Sequence, residues 1–243
     1  TVNYLAYGSN LASATLTSSR KIHPLRITPV RVPGLTLTFN LPGIPYLEPC
    51  FANVRLRSTQ SGEEEEEGRE LVGVVYEITR SDYDRLFASE GAGAAYQEYS
   101  VSCIPLGAAG GCEEVIARTL LCPEHTEALT RWTGQPSLRY LDLLRSGARE
   151  RALPGEYVEY LDGLQGYRVT TLRQRVGRGF VLAVWAPAFL LTLVLNRVFA
   201  GEDGRAPGWA VGYGRWVTKT VWGSYDRCYK VVFGSGECTE GEE

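Results

Sequence analysis

The chain has 243 residues, 44% of them hydrophobic and 22% charged, and a formal net charge of −3. That balance can close one large core, or a core with an appendage, and the scattered basic residues offer nucleic acid no patch. The two histidines, His23 and His125, have no metal-ligand neighbour at useful spacing, so zinc chemistry and a Ser-His-Asp triad lose their residues. Carboxylates and backbone donors are left as the candidates, and neither metal nor cofactor is expected.

In chain order, residues 2–7 lean toward apolar and aromatic side chains and then break at Gly8-Ser9-Asn10. Residues 11–18 can form a short helix starting at Asn10 or Ser13, so the opening reads strand, tight polar turn, helix N-terminus. Residues 30–40, 51–57 and 71–78 are strand-like, being rich in β-branched and aromatic residues. The five glutamates 63–67 lie between glycines and read as a solvated loop tip rather than a metal site. Residues 81–89 read as a helix capped by Ser81 with acids in its first turn. Strand character resumes at 96–105 and 114–122, and two helices follow, at 137–152 after Pro136 and at 154–164. Strands in succession with helices set apart indicate an α+β fold on a closed or nearly closed mixed sheet with flanking helices.

The character changes after Leu164, so the expected division is a domain over 1–165 and an extension over 166–243. Arg173, Arg175 and Arg178 precede an apolar run, 180–195, which Pro187 is expected to break. A membrane span needs ~20 apolar residues. The expected place of the run is therefore against the domain or in a homodimer interface, with membrane contact as the alternative. Residues 209–233, rich in Trp, Tyr and Gly, read as a β-type or irregular tail that borders the substrate pocket. The six cysteines, Cys50, Cys103, Cys112, Cys122, Cys228 and Cys238, form no Cys-x-x-Cys pair, and no secretory signal precedes Tyr4. Free thiols in a cytoplasmic setting are the expectation.

Two constellations carry possible chemistry. In Tyr4-Leu5-Ala6-Tyr7-Gly8-Ser9-Asn10-Leu11, the glycine permits a sharp turn, at positive φ if need be, and successive N–H groups can converge on an anion. Ser9 and Asn10 can donate to the same anion, or simply cap a helix. The second is Glu90, after a helix and before Gly91-Ala92-Gly93-Ala94-Ala95. Small neighbours leave such a carboxylate facing a cavity, where burial raises its pKa toward neutrality. On its own it reads first as a solvated helix-end acid. No nucleophile elbow, phosphate loop or zinc-protease motif is present.

Taken together, these segments resemble the γ-glutamylcyclotransferase family. The 4–11 stretch resembles that family's aromatic-Gly-Ser-Asn-Leu turn, and Gly73-Val74-Val75-Tyr76 its Gly-Val-Val-aromatic strand. Leu86-Phe87-Ala88-Ser89-Glu90-Gly91 resembles the helix that delivers its catalytic Glu-Gly pair, followed by Tyr96. Pro136-Ser137-Leu138-Arg139-Tyr140 is similar to its Pro-Ser-x-x-Tyr segment. Gly147-Ala148-Arg149-Glu150 and Leu153-Pro154-Gly155-Glu156-Tyr157 are similar to its helix pair. The small-residue stretch before Tyr96 is one residue shorter than in the simplest members, and residues 166–243 have no counterpart in the compact fold.

The resemblance implies release of 5-oxoproline and a free amine from a γ-glutamyl amide, by attack of the substrate's own α-amine. Glu90 would be the acid/base. The turn from Tyr4 to Leu11 would hold the α-carboxylate or the oxyanion, and Tyr96 and Tyr140 would line the site. The extension suits a bulky, glutathione-derived conjugate of the kind trimmed in sulfur-containing natural-product pathways. Recruitment of the fold for another acid/base reaction, or as a dimerising or membrane-associated scaffold, is the alternative.

Overall fold

The computed structural model describes residues 1–57, 69–89, 97–107, 113–122, 134–201 and 206–241. Among these, six strands form one sheet: β1 Val2–Ala6, β2 Arg26–Ile44, β3 Glu48–Leu56, β4 Glu70–Ile78, β5 Gln97–Pro105 and β6 Val115–Leu121. Their order is β3-β2-β4-β1-β6-β5, and a further pairing of β2 with β5 closes five of them into a ring. Closure removes free edges. β1 runs parallel to β6 and antiparallel to β4, so the sheet is mixed, as its sequence implies.

β2 serves three partners because it bends. Its 19 residues pair with β4 over the first part and β3 over the second, with register shifts after Val32 and Thr38. Such bulges sharpen the local twist and turn the strand. β1 lies innermost, with Leu5 and Ala6 fully buried. Gly73 on β4 is needed beside it, because a Cβ there would sit 2.6 Å from the Ala6 carbonyl oxygen.

Helix α1, Arg80–Ser89, packs on β1. Its cap is Thr79, not the expected Ser81: the Asp82 amide donates to Thr79 Oγ1 at 3.1 Å. Helix α2, Leu138–Glu150, is capped by Ser137, whose side chain accepts from the Tyr140 amide. Helix α3, Gly155–Gly163, follows.

The extension corrects two expectations. Residues 209–233 are helical, as α5 Gly208–Ser224, a π-turn over Tyr225–Tyr229, and α6 Lys230–Phe233. Their buried positions Ala210, Val217, Val221 and Tyr225 recur at helical spacing. Pro187 does not end the apolar run; α4 spans Leu172–Val198 with Pro187 inside it. That proline is exposed, and on its solvent side a helix can bow its carbonyls toward water.

The extension docks on the β2–β3 turn. Val181, Trp222 and Tyr225 cluster on Tyr46, and Trp222 Nε1–H donates to the Gly43 carbonyl at 3.1 Å. Tyr46 is held at φ 64, a region costly for a bulky residue. Its hydroxyl lies 3.0 Å from the Tyr229 carbonyl and 2.9 Å from that of Gly234, and its amide donates to the Gly236 carbonyl. At the start of the apolar run, Val181 lies in the Tyr46 cluster. Leu190, Leu191, Leu193 and Val194 further along it are exposed.

Candidate active site

β1 ends at Ala6, and the chain turns through Gly8 into one turn of 3-10 helix, Ser9–Leu11, then a π-helical segment, Ala14–Ser19. This replaces the single short helix expected over 11–18. Neither segment has a side-chain cap, so Ser9 and Asn10 are not there as caps. Gly8 has φ −109, so no positive φ calls for glycine here. Space is the reason for glycine: a Cβ at position 8 would lie 3.1 Å from the Tyr140 hydroxyl and 3.6 Å from Ala52 Cβ.

The turn is fixed from three sides. Asn10 Nδ2 donates to the Tyr4 hydroxyl at 2.9 Å, in the protein interior. From β4, the Tyr76 hydroxyl reaches the carbonyls of Asn10 and Leu11 at 3.2 and 3.3 Å. Burial pushes the Tyr76 phenol up to about 12, against the pull of Arg151 beside it, so it stays a donor at neutral pH. The third side is α2. A Cβ at Gly147 would lie 2.5 Å from the Ala12 amide nitrogen, so only glycine lets this helix press on the turn. One turn later Glu150 Oε2 accepts the Ser13 amide at 2.9 Å, and Arg151 Nε donates to the Leu11 carbonyl at 3.2 Å. The Gly147-Ala148-Arg149-Glu150 motif is thereby a clamp on the turn.

Ser137 and Glu48 position Tyr140. Ser137 caps α2 and donates to Glu48 Oε2 at 2.5 Å, while Arg139 pairs with Glu48 Oε1 at 2.6 Å. The Tyr140 hydroxyl then accepts the Ala52 amide at 3.2 Å, and its ring meets Phe51 edge-on at 5.1 Å. Across the turn, the Tyr7 hydroxyl donates to the Leu120 carbonyl at 2.5 Å.

The result is a cleft lined by Tyr4, Tyr7, Gly8, Ser9, Asn10, Ala52, Leu120 and Tyr140, with about 340 Å³ of empty space counting its open mouth. Six of the residues singled out in the sequence meet here. Leu5, Ala6 and Leu11 do not; their side chains are core. Ala52 and Leu120 escaped sequence reasoning, because they arrive from β3 and β6 only once the barrel closes. Glu90 and Tyr96 lie outside the described residues, as do the 63–67 glutamates. Helix α1, however, ends at Ser89, one residue short of Glu90, and it packs Tyr83 edge-on against Tyr4 at 6.3 Å. Among the described residues, none that line the cleft come from the extension, contrary to the expectation that the aromatic tail borders it.

The arrangement can bind an anion at a narrow polar turn, with phenol hydroxyls on either side. Residues 70–161 match the AIG2-like family, and residues 171–232 match the AclK C-terminal domain. The chain is 34% identical over 252 residues to the gamma-glutamyl cyclotransferase gliK of Aspergillus fumigatus, covering 96% of this chain and 88% of that protein. It is 32% identical over 253 residues to the gamma-glutamyl cyclotransferase aclK of Aspergillus oryzae, covering 96% and 89%. A solved gamma-glutamyl cyclotransferase structure superposes with a TM-score of 0.55 at 21% identity, over 70% of this chain and 91% of that one, a likeness of fold. The chain therefore belongs to the γ-glutamyl cyclotransferase family.

Proposed function

We propose that the chain cleaves a γ-glutamyl amide by internal cyclisation, a lyase-type step that needs no water, nucleotide or metal. The observation that carries this reading is the convergence of the 4–11 turn and the Tyr140 hydroxyl on one cleft, with Tyr83 of α1 edge-on to the cleft residue Tyr4. The substrate's α-amine nitrogen bonds to its own γ-carbonyl carbon, and the amide C–N bond breaks. 5-Oxoproline and a free amine leave. Intramolecular attack profits from orientation, since correctly held groups reach effective molarities on the order of 10⁵–10⁸ M. Glu90 takes the ammonium proton and returns one to the departing nitrogen.

The backbone N–H groups of the turn that lines the cleft are the candidate anion donors. They are suited to the α-carboxylate or to the oxyanion of the tetrahedral intermediate. Tyr140 and Tyr7 flank that anion, and Tyr96 closes the wall as the resemblance implies. The AclK C-terminal domain match, beside relatives whose likeness covers 96% of this chain, supports a tailoring role on a glutathione-derived or other large conjugate in a cytoplasmic biosynthetic route. The test is incubation with γ-glutamyl dipeptides and with glutathione S-conjugates, reading 5-oxoproline. Release from at least one of them is expected; its absence from all, with folded protein, overturns the reading.

A further inference from the structure

The cleft leaves α4 and α5 without a role, and α4 is built inside out. Val176, Phe180, Val184, Leu191, Val194 and Val198 recur at helical spacing and are 55%, 42%, 46%, 45%, 53% and 67% exposed. On the adjoining face, in the first turns only, Gln174, Gly177 and Val181 are buried. A surface helix of a soluble domain shows the reverse. The helix has 27 residues, a mean hydropathy of 2.0 over its apolar window, and only 11% of that window buried.

By length and composition α4 could cross a bilayer, but its surroundings argue against it. Val181 is fixed to the barrel through Tyr46. The helix beyond it, up to Val198, is then roughly 26 Å long at 1.5 Å per residue, short of a hydrocarbon core of about 30 Å. α5 also runs beside α4: Gly214 faces Thr192, and Phe199 meets Trp209 edge-on at 5.0 Å. Crossing would carry exposed Arg215 and Lys219 into hydrocarbon, which is strongly unfavourable.

Charge selects the occupant. The two helices contain Arg173, Arg175, Arg178, Arg197, Arg215 and Lys219, and no Asp or Glu, in a chain whose net charge is −3. A second copy docking by the same face would set cations against cations. An anionic bilayer surface complements them. Exposed Phe199, Trp209 and Trp216 are the side chains that settle at a headgroup boundary.

We propose that the α4–α5 hairpin is a monotopic anchor that lies on an anionic membrane, its aliphatic stripe in the headgroup–acyl boundary and its cations at the phosphates. The cyclotransferase cleft is thereby held at a membrane surface. Anchoring is independent of the chemistry, since no described cleft residue belongs to the hairpin.

The experiment is co-sedimentation of the full chain with vesicles of phosphatidylcholine, or of equimolar phosphatidylcholine and phosphatidylserine. Binding to the anionic vesicles only is expected. Arg197→Gln should weaken it about fivefold, the worth of one cation near the surface, and added salt should release it. The double variant Leu191→Glu, Val194→Glu should weaken it at least about tenfold, with unchanged circular dichroism and unchanged 5-oxoproline release. Equal binding to neutral vesicles would overturn the anionic claim, and resistance to alkaline carbonate would replace lying with spanning. Failure to bind either vesicle, with a dimer that the double variant disperses, would assign the face to a second copy.

Discussion

In the barrel, β1 carries Leu5 and Ala6 to the centre of the sheet, where both are fully buried, whereas in α4 side chains of the same kind, Leu190 and Val194, stand outward. The difference follows from what each region closes upon. The barrel closes upon itself, through β2 pairing with β5, and helix residues such as Leu86, Leu144 and Tyr157 complete its core. Among the described residues, the hairpin's buried apolar contacts with the barrel gather at its base, on Tyr46. One region is organised around its own core and carries the cleft; the other leaves apolar side chains facing outward.

That division can be tested from the chemistry outward. The largest effect is expected at Glu90. Glu90→Gln keeps the side chain's shape and removes its basicity, so turnover should fall about 10²–10⁴-fold with the unfolding midpoint unchanged. Near-wild-type 5-oxoproline release from the folded variant would move the acid/base away from the end of α1.

Gly8→Val comes next. Its added carbons fall where the Tyr140 hydroxyl lies, 3.1 Å from the ideal Cβ, so Tyr140 must leave the Ala52 amide. Affinity for a γ-glutamyl dipeptide should drop about tenfold or more, the worth of one well-placed hydrogen bond, and further than in Ser9→Ala. Unchanged affinity by calorimetry would show that the turn does not hold the ligand.

Tyr46→Phe probes the seam between the regions. Losing the hydroxyl between the Tyr229 and Gly234 carbonyls should destabilise by about 1–3 kcal/mol. Hydrogen exchange should quicken over residues 229–236 while turnover changes little. A matching loss of turnover would mean that barrel and hairpin act as one unit.

The smallest effect concerns acid. Hydrogen bonds from Ser13, its backbone amide first, hold the Glu150 carboxyl below its ordinary value of 4.5. A depressed folded value stabilises above the unfolded value and is lost as pH falls through the folded one. Glu150 is exposed, so the contribution is below about 1 kcal/mol after screening. Urea midpoints taken between pH 6 and 3 (about the carboxylate range) should fall less for Glu150→Gln than for the parent chain. An identical fall in both would leave the Ser13 contact without thermodynamic weight.

How much of this was legible depended on where the signal was stored. The strands and α2 could be read because alternation and the Pro136-Ser137 start are local. So could the turn and Tyr140, which a motif marks. α5 could not: Gly208, Gly212, Gly214 and Gly223 among Trp, Tyr, Val and Thr have poor intrinsic helix propensity. The helix forms because Gly214 admits Thr192 of α4, a contact set by tertiary packing. Pro187 misled for the same reason, since packing at Val181 and Trp185 continues the helix around it. Ala52 and Leu120 were hidden in ordinary strand sequence, and closure of the barrel alone makes them neighbours.

β1 is hydrogen-bonded to β4 on one side and paired with β6 on the other, and the turn through Gly8 to Leu11 hangs directly from its end. Free energies of local opening run from near zero at frayed ends up to the global value in central strands. The turn is tied to the upper end of that range, with Tyr76 and Arg151 pinning its carbonyls. It is therefore assembled before any substrate arrives, and little ordering entropy is left to oppose binding. In rising denaturant the ability to hold a γ-glutamyl ligand should persist until the whole barrel opens, then disappear in that same transition.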